Sequence, residues 1–298
     1  MRYYGCQSFF QTSSENSRRT CRTPHRPLAQ GSDPCYTTKG DRISMDDIGQ
    51  HQSVRSVERA ISLLESLERA RQSMRLGELA ADVGISPATA RRLLLVLASK
   101  GLVQKERDRY QIGYGVISMA QACLMESLLR RIAMEPATEL AGITGQTVAL
   151  YVRQGFQRII ILRAEGEHHL SFQTPIGERL PLHLGAGKVL AAEMPADELA
   201  ALLRTIPEIR TSDGAVTNKN DLLAQLEEVR RNGYYISRAE RKKHSISITV
   251  PVKVPDGEVA AALSVISMLD ACDEETLTGF LPHLQQAAAF IAERYHRE

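Results

Sequence analysis

The segment from Leu79 to Val103, LAADVGISPATARRLLLVLASKGLV, constrains the fold more than any other part of the chain. Its apolar residues recur at helical spacing on both sides of Gly84, and glycine commonly ends a helix. Ser86 and Pro87 then supply a favoured N-cap and a favoured first helical residue. This order of helix, glycine-containing turn and capped second helix predicts a helix-turn-helix.

Two flanking elements predict the winged form of this motif. Before it, apolar residues three and four positions apart predict a helix that begins near Val54. After it, Leu102–Glu106 and Arg109–Ile112 alternate apolar and polar residues around a short turn, which predicts a β-hairpin. We therefore assign residues 53–113 to a winged helix-turn-helix domain. Its second motif helix, Ser86–Lys100, is expected to enter the DNA major groove.

The outward-facing residues of this domain are the candidate DNA contacts. Arginine can bond guanine bidentately, and threonine can bond a base edge or contact a thymine methyl group. A phosphate contact suits Arg92 better than a base contact. The predicted DNA-binding residues are Ser86, Pro87, Ala88, Thr89, Arg91 and Arg92 in the helix and Lys105, Arg107 and Arg109 in the wing. A protein–protein module with solvated arginines is the alternative interpretation.

The distribution of charge agrees with a nucleic-acid-binding module at this end of the chain. Residues 51–113 carry eleven Lys/Arg and seven Asp/Glu, whereas residues 126–298 carry nineteen and twenty-three. No apolar run approaches the about 20 residues of a membrane helix, and no secretory segment is evident, so we expect a cytoplasmic protein without a membrane partner. The spacing of the five cysteines fits neither zinc nor disulfides, and we expect no metal or cofactor.

Residues 1–52 differ from the rest of the chain. They are rich in Ser, Thr, Arg and Pro and lack a periodic apolar pattern, so we predict a disordered extension. Met45 lies just before the first periodic segment. Our hypothesis is that Met45 is the true start of the protein, and a transit peptide is the less favoured alternative.

Beyond the wing, the pattern changes to that of a mixed domain. The uncharged apolar stretch 114–125 predicts a linker helix, which either lies in a dimer interface or packs within the subunit. In residues 126–298, predicted strands alternate with helices, including a strand at His169–Thr174 and one closing helix over Asp273–Arg297. This order favours an α+β domain with a largely antiparallel sheet.

Six segments together resemble the IclR family of bacterial transcriptional regulators, from Ser53 to the C-terminus. They are SVERAISLLESL, the helix-turn-helix with Thr89 and Arg92, RYQIG, PIGERLPLHLGAGKVLAA, LEEVRRNGYYISRAE and ITVPVKVPDGEVAAALSV. The resemblance implies a GAF-like or profilin-like effector-binding domain, and a homodimer or homotetramer on palindromic operators of double-stranded DNA. Ala88 stands where the family commonly has serine, so the operator sequence of relatives does not transfer.

The same resemblance implies an effector site in the C-terminal domain. Gly185, Ala186, Ser247 and Ser264 match ligand-contacting positions of the family, and Ser237 lies where an acidic residue is frequent. Backbone N–H groups at the start of a helix after Gly185 suit a carboxylate. GAGK itself lacks the spacing and the Ser/Thr of a phosphate-binding loop.

A basic run lies near the expected mouth of this site. The segment SRAERKKH contributes Arg238, Arg241, Lys242, Lys243 and His244. We hypothesise that their charge attracts a small anionic effector, such as an aromatic or aliphatic carboxylic acid. A solvated basic loop is the alternative.

These patterns predict a sequence-specific DNA-binding transcriptional regulator that responds to a small organic acid and controls catabolic genes. Neither a nucleophile-elbow motif nor metal-ligand spacing is evident, so we expect no enzyme. Two alternatives stay open: an enzyme domain fused to a DNA-binding module, and an architectural DNA-binding protein without a ligand.

Overall fold

The computed structural model describes residues 54–168, 170, 174–206 and 208–298. The predicted extension 1–52, with Met45, lies outside the described residues. So does most of the strand predicted for His169–Thr174. Its two described positions, Leu170 and Thr174, are not in a strand.

The N-terminal part of the described chain is a winged helix-turn-helix, as predicted. Its elements are α1 (Arg55–Ala70), β1 (Met74–Arg75), α2 (Leu76–Val83), α3 (Pro87–Ser99), β2 (Val103–Glu106) and β3 (Arg109–Ile112). The strands form an antiparallel sheet of order β1-β3-β2. Gly84 ends α2 in the left-handed region at φ 69°, and Ser86 caps α3. The domain core includes the fully buried Leu63, Leu79, Ala90 and Leu94.

The predicted linker helix is present as α4 (Gly115–Glu126), and it buries no side chain in the subunit. Ile117 is 56% exposed, Met119 61% and Met125 75%. An apolar helix with this exposure does not pack within its own subunit, so that alternative is wrong for this structure.

The C-terminal domain is α+β, as predicted. Its elements are α5 (Leu128–Thr144), β4 (Thr147–Gln154), β5 (Gln157–Ala164), β6 (Arg179–Pro181), α6 (Gly187–Ala192), α7 (Ala196–Thr205), β7 (Ile209–Arg210), β8 (Val216–Thr217), α8 (Lys219–Asn232), β9 (Tyr235–Arg238), β10 (Ser245–Lys253), β11 (Val259–Met268), α9 (Glu274–Gly279) and α10 (Leu281–Arg297). Six strands form one antiparallel sheet of order β6-β5-β4-β11-β10-β9, and β7 and β8 pair separately.

The two faces of the six-stranded sheet pack against different helices. Ile246, Ile248 and Val250 alternate along β10 and join the core shared with α5 and α10. Because successive side chains of a strand point to opposite faces, Ser247 and Thr249 lie on the other face. The core formed by α6, α7 and α8 packs on that second face.

The prediction of one closing helix over Asp273–Arg297 is wrong. The chain forms α9 and then α10, with Pro282 in the first turn of α10. Proline disfavours helical geometry in the residue before it and removes a backbone donor, so the helix is interrupted at Phe280.

Ion pairs connect α1 to the turn that leads into β6. Arg71 lies 3.0 Å from a carboxylate oxygen of Glu178. Arg179 lies 3.3 Å from Glu68 and 3.9 Å from Glu65. Glu178 is 15% exposed, whereas the other four side chains are partly or largely solvated. Solvated pairs contribute about 0–1 kcal/mol each.

Candidate functional site

The start of α3 presents the predicted reading residues to solvent. Ser86, Pro87, Ala88, Arg91 and Arg92 are exposed, and Thr89 is half-buried. The Ser86 hydroxyl accepts a hydrogen bond from the Thr89 backbone N–H at 3.2 Å, and the two hydroxyl oxygens lie 2.9 Å apart. The cap therefore holds the helical turn whose side chains face outward.

Replacing Ser86 by alanine is expected to lower the free energy of unfolding of the winged domain by about 1 kcal/mol, because the N-cap bond is lost. Chemical denaturation of the full chain, followed by circular dichroism, measures this change. Ser99→Ala is the control, since that exposed hydroxyl bonds only the Val96 carbonyl at the other end of α3. An equal loss in both variants would contradict the assigned role of the cap.

The wing residues divide into two kinds. Lys105 and Arg107 are exposed, and Arg107 adopts φ 56° at the hairpin turn. Arg109 is half-buried, and its Nη1 donates to the Ser73 carbonyl at 2.8 Å. Arg109 thus stabilises the base of the wing, while the other two cations are available to a DNA backbone.

The predicted effector residues converge on the second face of the large sheet. Ser247 is opposite Ser237 across β9 and β10, and Ser264 is opposite Thr249 across β10 and β11. The Thr249 and Ser264 hydroxyls lie 2.8 Å apart. A Cβ placed on Gly185 would be 3.5 Å from the Ser237 hydroxyl, so the loop before α6 covers this face.

Glu240 already occupies the backbone donor that the sequence analysis assigned to the effector. Its carboxylate accepts the Gly185 N–H at 2.8 Å and lies 2.8 Å from Lys188 Nζ. The Tyr235 hydroxyl donates to its other oxygen at 2.5 Å. An internal carboxylate therefore lies where the effector carboxylate was expected.

The helix that begins after Gly185 is also too short for the predicted role. It has six residues, and the Gly187 and Lys188 N–H groups donate to the Leu184 and Gly185 carbonyls. The expectation that free N–H groups of a helix N-terminus receive a carboxylate at Gly185 and Ala186 is therefore wrong in its chemistry. The positions themselves lie beside the sheet face.

Lys188 and Glu240 form a buried ion pair, with side chains 4% and 9% exposed. Burial lowers the pKa of Lys188, and the neighbouring Glu240 carboxylate opposes that shift. Burial, followed by the negative charge of Glu240, raises the pKa of Tyr235, which stays a neutral donor. The charges of Lys188 and Glu240 cancel, so the pair adds no net charge to this face of the sheet.

Arg158 is the buried cation that the sequence analysis missed. It is 2% exposed, and its Nη1 donates to the Leu184 carbonyl at 2.6 Å and to the Pro181 carbonyl. The guanidinium carbon lies 5.2 Å from the centre of the Tyr151 ring. Burial lowers the pKa of Arg158 to about 10, so the group remains charged at neutral pH.

A signal for Arg158 was present in the sequence. In β5 every second residue is buried, and Arg158 occupies one of these buried positions, as Ile160 and Leu162 do. A charged residue at a core-facing position of a strand is rare unless it has a partner or a function. We call the region formed by Arg158, Gly185, Ser237, Ser247 and Ser264 the ligand seat.

The basic run SRAERKKH is mostly solvated. Arg238, Lys242, Lys243 and His244 are exposed, and Arg241 donates to the Thr174 hydroxyl at 2.7 Å. The buried residues of this run are Ser237 and its single acid, Glu240. Nearer the seat, burial and then the charges of Arg158 and Lys188 lower the pKa of His183, while Glu240 opposes the shift.

Among the residues that the structure describes, no helix has both the length and the apolar character needed to cross a bilayer. In that same part of the chain, no group of three or more His, Cys, Asp or Glu side chains is arranged to hold a metal ion.

Known proteins are similar to this chain over both domains. The curated regulator XynR of Escherichia coli is 29% identical over 242 residues, which cover 80% of this chain and 96% of XynR. KdgR of the same species is 29% identical over 252 residues, 83% of this chain and 95% of KdgR. Both are named HTH-type transcriptional regulators.

Solved structures share the fold. An IclR transcriptional regulator from Alicyclobacillus acidocaldarius gives a TM-score of 0.69 at 23% identity, covering 81% of this chain and 98% of that one. An IclR homolog from Microbacterium hydrocarbonoxydans, complexed with 4-hydroxybenzoate, gives 0.65 at 21% identity, covering 82% and 100%.

Two family models match in the order that the fold requires. Residues 56–107 match the IclR helix-turn-helix domain, which includes the capped reading helix. Residues 121–293 match the C-terminal domain of bacterial IclR transcriptional regulators, which includes the ligand seat. The curated relatives are named transcriptional regulators or repressors, which agrees with the architecture described above. The chain therefore belongs to the IclR family of DNA-binding transcriptional regulators.

Proposed function

We propose that this regulator responds to a small organic acid and controls catabolic genes. In this proposal, residues 53–113 read an operator, residues 114–125 link the two domains, and residues 126–298 bind the effector and assemble the oligomer. A regulator that binds chromosomal DNA in a bacterium works in the cytoplasm.

The observation that carries the proposal is the positive charge buried in the ligand seat. Arg158 has no acidic partner among the described ion pairs, whereas Lys188 is paired with Glu240. A buried charge is costly unless an opposite charge is supplied. The hydroxyls of Ser237, Ser247 and Ser264 line the same face, and an anion with oxygen atoms matches both kinds of group.

The Microbacterium hydrocarbonoxydans homolog supports the same chemical class, since its ligand 4-hydroxybenzoate is an aromatic carboxylate. At 21% identity the likeness concerns the fold. The homolog therefore shows that a domain of this fold can bind a carboxylate.

Isothermal titration calorimetry of the full chain with a panel of organic acids tests the proposal. Saturable binding of at least one carboxylate is expected. Binding only of neutral or cationic compounds would refute an anionic effector. No binding by any compound, together with salt-sensitive DNA binding, would favour the architectural alternative.

Arg92 is proposed to neutralise a DNA phosphate. Arg92→Ala is expected to weaken binding to a duplex from the region upstream of the protein's own gene by about fivefold. It should also reduce the slope of log K against log salt by about one. Fluorescence anisotropy at several salt concentrations measures both. Arg231→Ala, at an exposed position of α8, is the control, and an equal effect there would contradict the assignment.

We propose that the functional form is a homodimer, or a homotetramer built from dimers. Besides α4, the winged domain exposes Val57, Ile61 and Val96 on α1 and α3, each at least half accessible. Contiguous apolar surface of this kind marks an interaction site. A two-fold dimer would also place two reading helices on adjacent half-sites of a palindrome, about 34 Å apart.

A further inference from the structure

We propose that Arg158 is the residue that anchors the effector's carboxylate, through the side-on edge formed by its Nε and Nη2 atoms. The inference rests on the proposed function and narrows it, because it names the residue that makes the protein bind an acid more tightly than the corresponding amide. Nothing in the resemblance to relatives assigned this position.

The hydrogen bonds of Arg158 leave one edge of the guanidinium unused. Nη1 donates to the Pro181 and Leu184 carbonyls. Nε is buried and has no hydrogen-bond partner within the described ranges, and Nη2 donates no bond to any described residue. The side chain is thus held by one nitrogen while two parallel donors stay open. That pair of donors matches the two oxygens of a carboxylate.

The Nη2 end of this edge borders the ligand seat. A Cβ built on Gly185 would lie 3.5 Å from Arg158 Nη2 and 3.5 Å from the Ser237 hydroxyl. Nη2, Gly185 and Ser237 therefore border one small space. A carboxylate there would meet the guanidinium on one side and a hydroxyl donor on the other, with glycine leaving room between them.

A second glycine shows that the loop is shaped around this side chain. A Cβ on Gly187 would overlap Arg158 Nη1 and lie 2.5 Å from the Leu182 carbonyl oxygen. No side chain fits at that distance. The guanidinium is thus fixed in place before any ligand arrives, and a rigid donor pair loses little entropy on binding.

The charge balance sets the number of carboxylates at this anchor to one. Lys188 is already neutralised by Glu240, and their pair is closed by the Tyr235 hydroxyl. Arg158 forms no ion pair with a described carboxylate, although the nearby Glu240 raises its pKa, so Arg158, Lys188 and Glu240 together carry one net positive charge. One carboxylate group compensates it, and the rest of the effector then extends over the hydroxyls of the sheet face.

The competing interpretation is that Arg158 only fastens the loop at residues 181–184 to β5. Two substitutions separate these roles. Arg158→Lys keeps a charge that can bond the two carbonyls but removes the side-on pair of donors. Arg158→Gln removes the charge as well. Arg130→Gln is the matched control, because Arg130 is a partly buried arginine of α5, on the other face of the sheet, that likewise donates to two carbonyls, those of Ile161 and Leu124.

The experiment is calorimetry of the full-length protein with glyoxylate, pyruvate, succinate, benzoate and 4-hydroxybenzoate, each compared with its amide. The wild type is expected to bind at least one acid at least tenfold more tightly than the amide. Arg158→Lys and Arg158→Gln are expected to weaken binding of that acid at least tenfold while the protein stays folded, as judged by circular dichroism. Arg130→Gln should leave binding within twofold.

The possible results distinguish a failure of the proposed carboxylate effector from a failure of the Arg158 anchor. If the wild type binds no acid, or binds amides equally well, the proposed carboxylate effector fails. If an acid binds and both Arg158 variants bind it within twofold of the wild type, the anchor is wrong while the proposed function stands. Should both variants unfold, Ser237→Val decides. At this strand position it replaces the hydroxyl that borders the space beside Nη2 with methyl groups, and unchanged affinity in that variant overturns the anchor.

Discussion

Replacing Glu240 by glutamine is expected to lower the free energy of unfolding by about 3 kcal/mol, because it leaves the Lys188 ammonium buried without a counter-charge. The two side chains are 4% and 9% exposed, so solvent does not replace the lost partner. Urea denaturation at pH 7 measures the change. The control is Glu293→Gln, which removes a solvated pair with Arg297 and should cost no more than about 1 kcal/mol.

The penalty in Glu240→Gln is also expected to shrink as the pH rises. Burial already lowers the pKa of Lys188, and Glu240 opposes that shift, so removing Glu240 lowers the pKa further. The folded variant then releases the lysine proton while the unfolded chain still binds it. Since the unfolded state holds more protons, the variant's stability rises with pH between neutrality and about 10.

Adding Lys188→Met to Glu240→Gln should recover part of the loss, because the unpaired charge is gone. A double variant as unstable as the sum of both single variants would contradict the coupling. A penalty that stays constant with pH would show that Lys188 is not the group left uncompensated.

The second large effect is expected at the linker helix. If the protein is the proposed oligomer, Ile117→Glu should convert it to monomers and weaken operator binding by about 100-fold or more, because a linked pair of reading domains gains an effective concentration that a single domain lacks. Ile117 is 56% exposed in the subunit, so the substitution does not disturb the subunit's own core. A glutamate near a helix N-terminus is also favourable for the helix itself.

Light scattering coupled to size exclusion gives the mass, and anisotropy with operator DNA gives the affinity. Ser118→Glu is the matched control: it adds the same charge one residue later, about 100° around the helix. An Ile117→Glu variant that keeps the wild-type mass would place the oligomer interface elsewhere. Equal dissociation by both variants would mean that added charge, and not the lost apolar contact, separates the subunits.

Local rules were enough to predict the DNA-binding half. The cap at Ser86, the helix end at Gly84 and the apolar period of α3 each depend on residues within one or two helical turns. They can therefore be predicted from the local sequence. The structure has α3 at Pro87–Ser99, within one residue of the predicted limits. The short strand β1 was missed because two residues carry no detectable alternation.

The ligand seat was only half predictable, because its chemistry depends on long-range contacts. The serines were found by resemblance, and the sheet register brings them together. Glu240 was overlooked among five basic neighbours, since nothing local indicates that it turns inward to Lys188 and Gly185. The buried phase of Arg158 in β5 was visible, but its partners, the Pro181 and Leu184 carbonyls, lie more than twenty residues away.

The ion pairs beside α1 lie in the same short segment as the carbonyls bonded by Arg158. Glu178 and Arg179 touch α1, and the chain then runs directly to the Pro181 and Leu184 carbonyls that hold Arg158. One short, hydrogen-bonded segment thus joins the sensor to the first helix of the DNA-binding domain. We expect a displacement of Arg158 to shift this segment relative to α1, in addition to whatever passes through the linker.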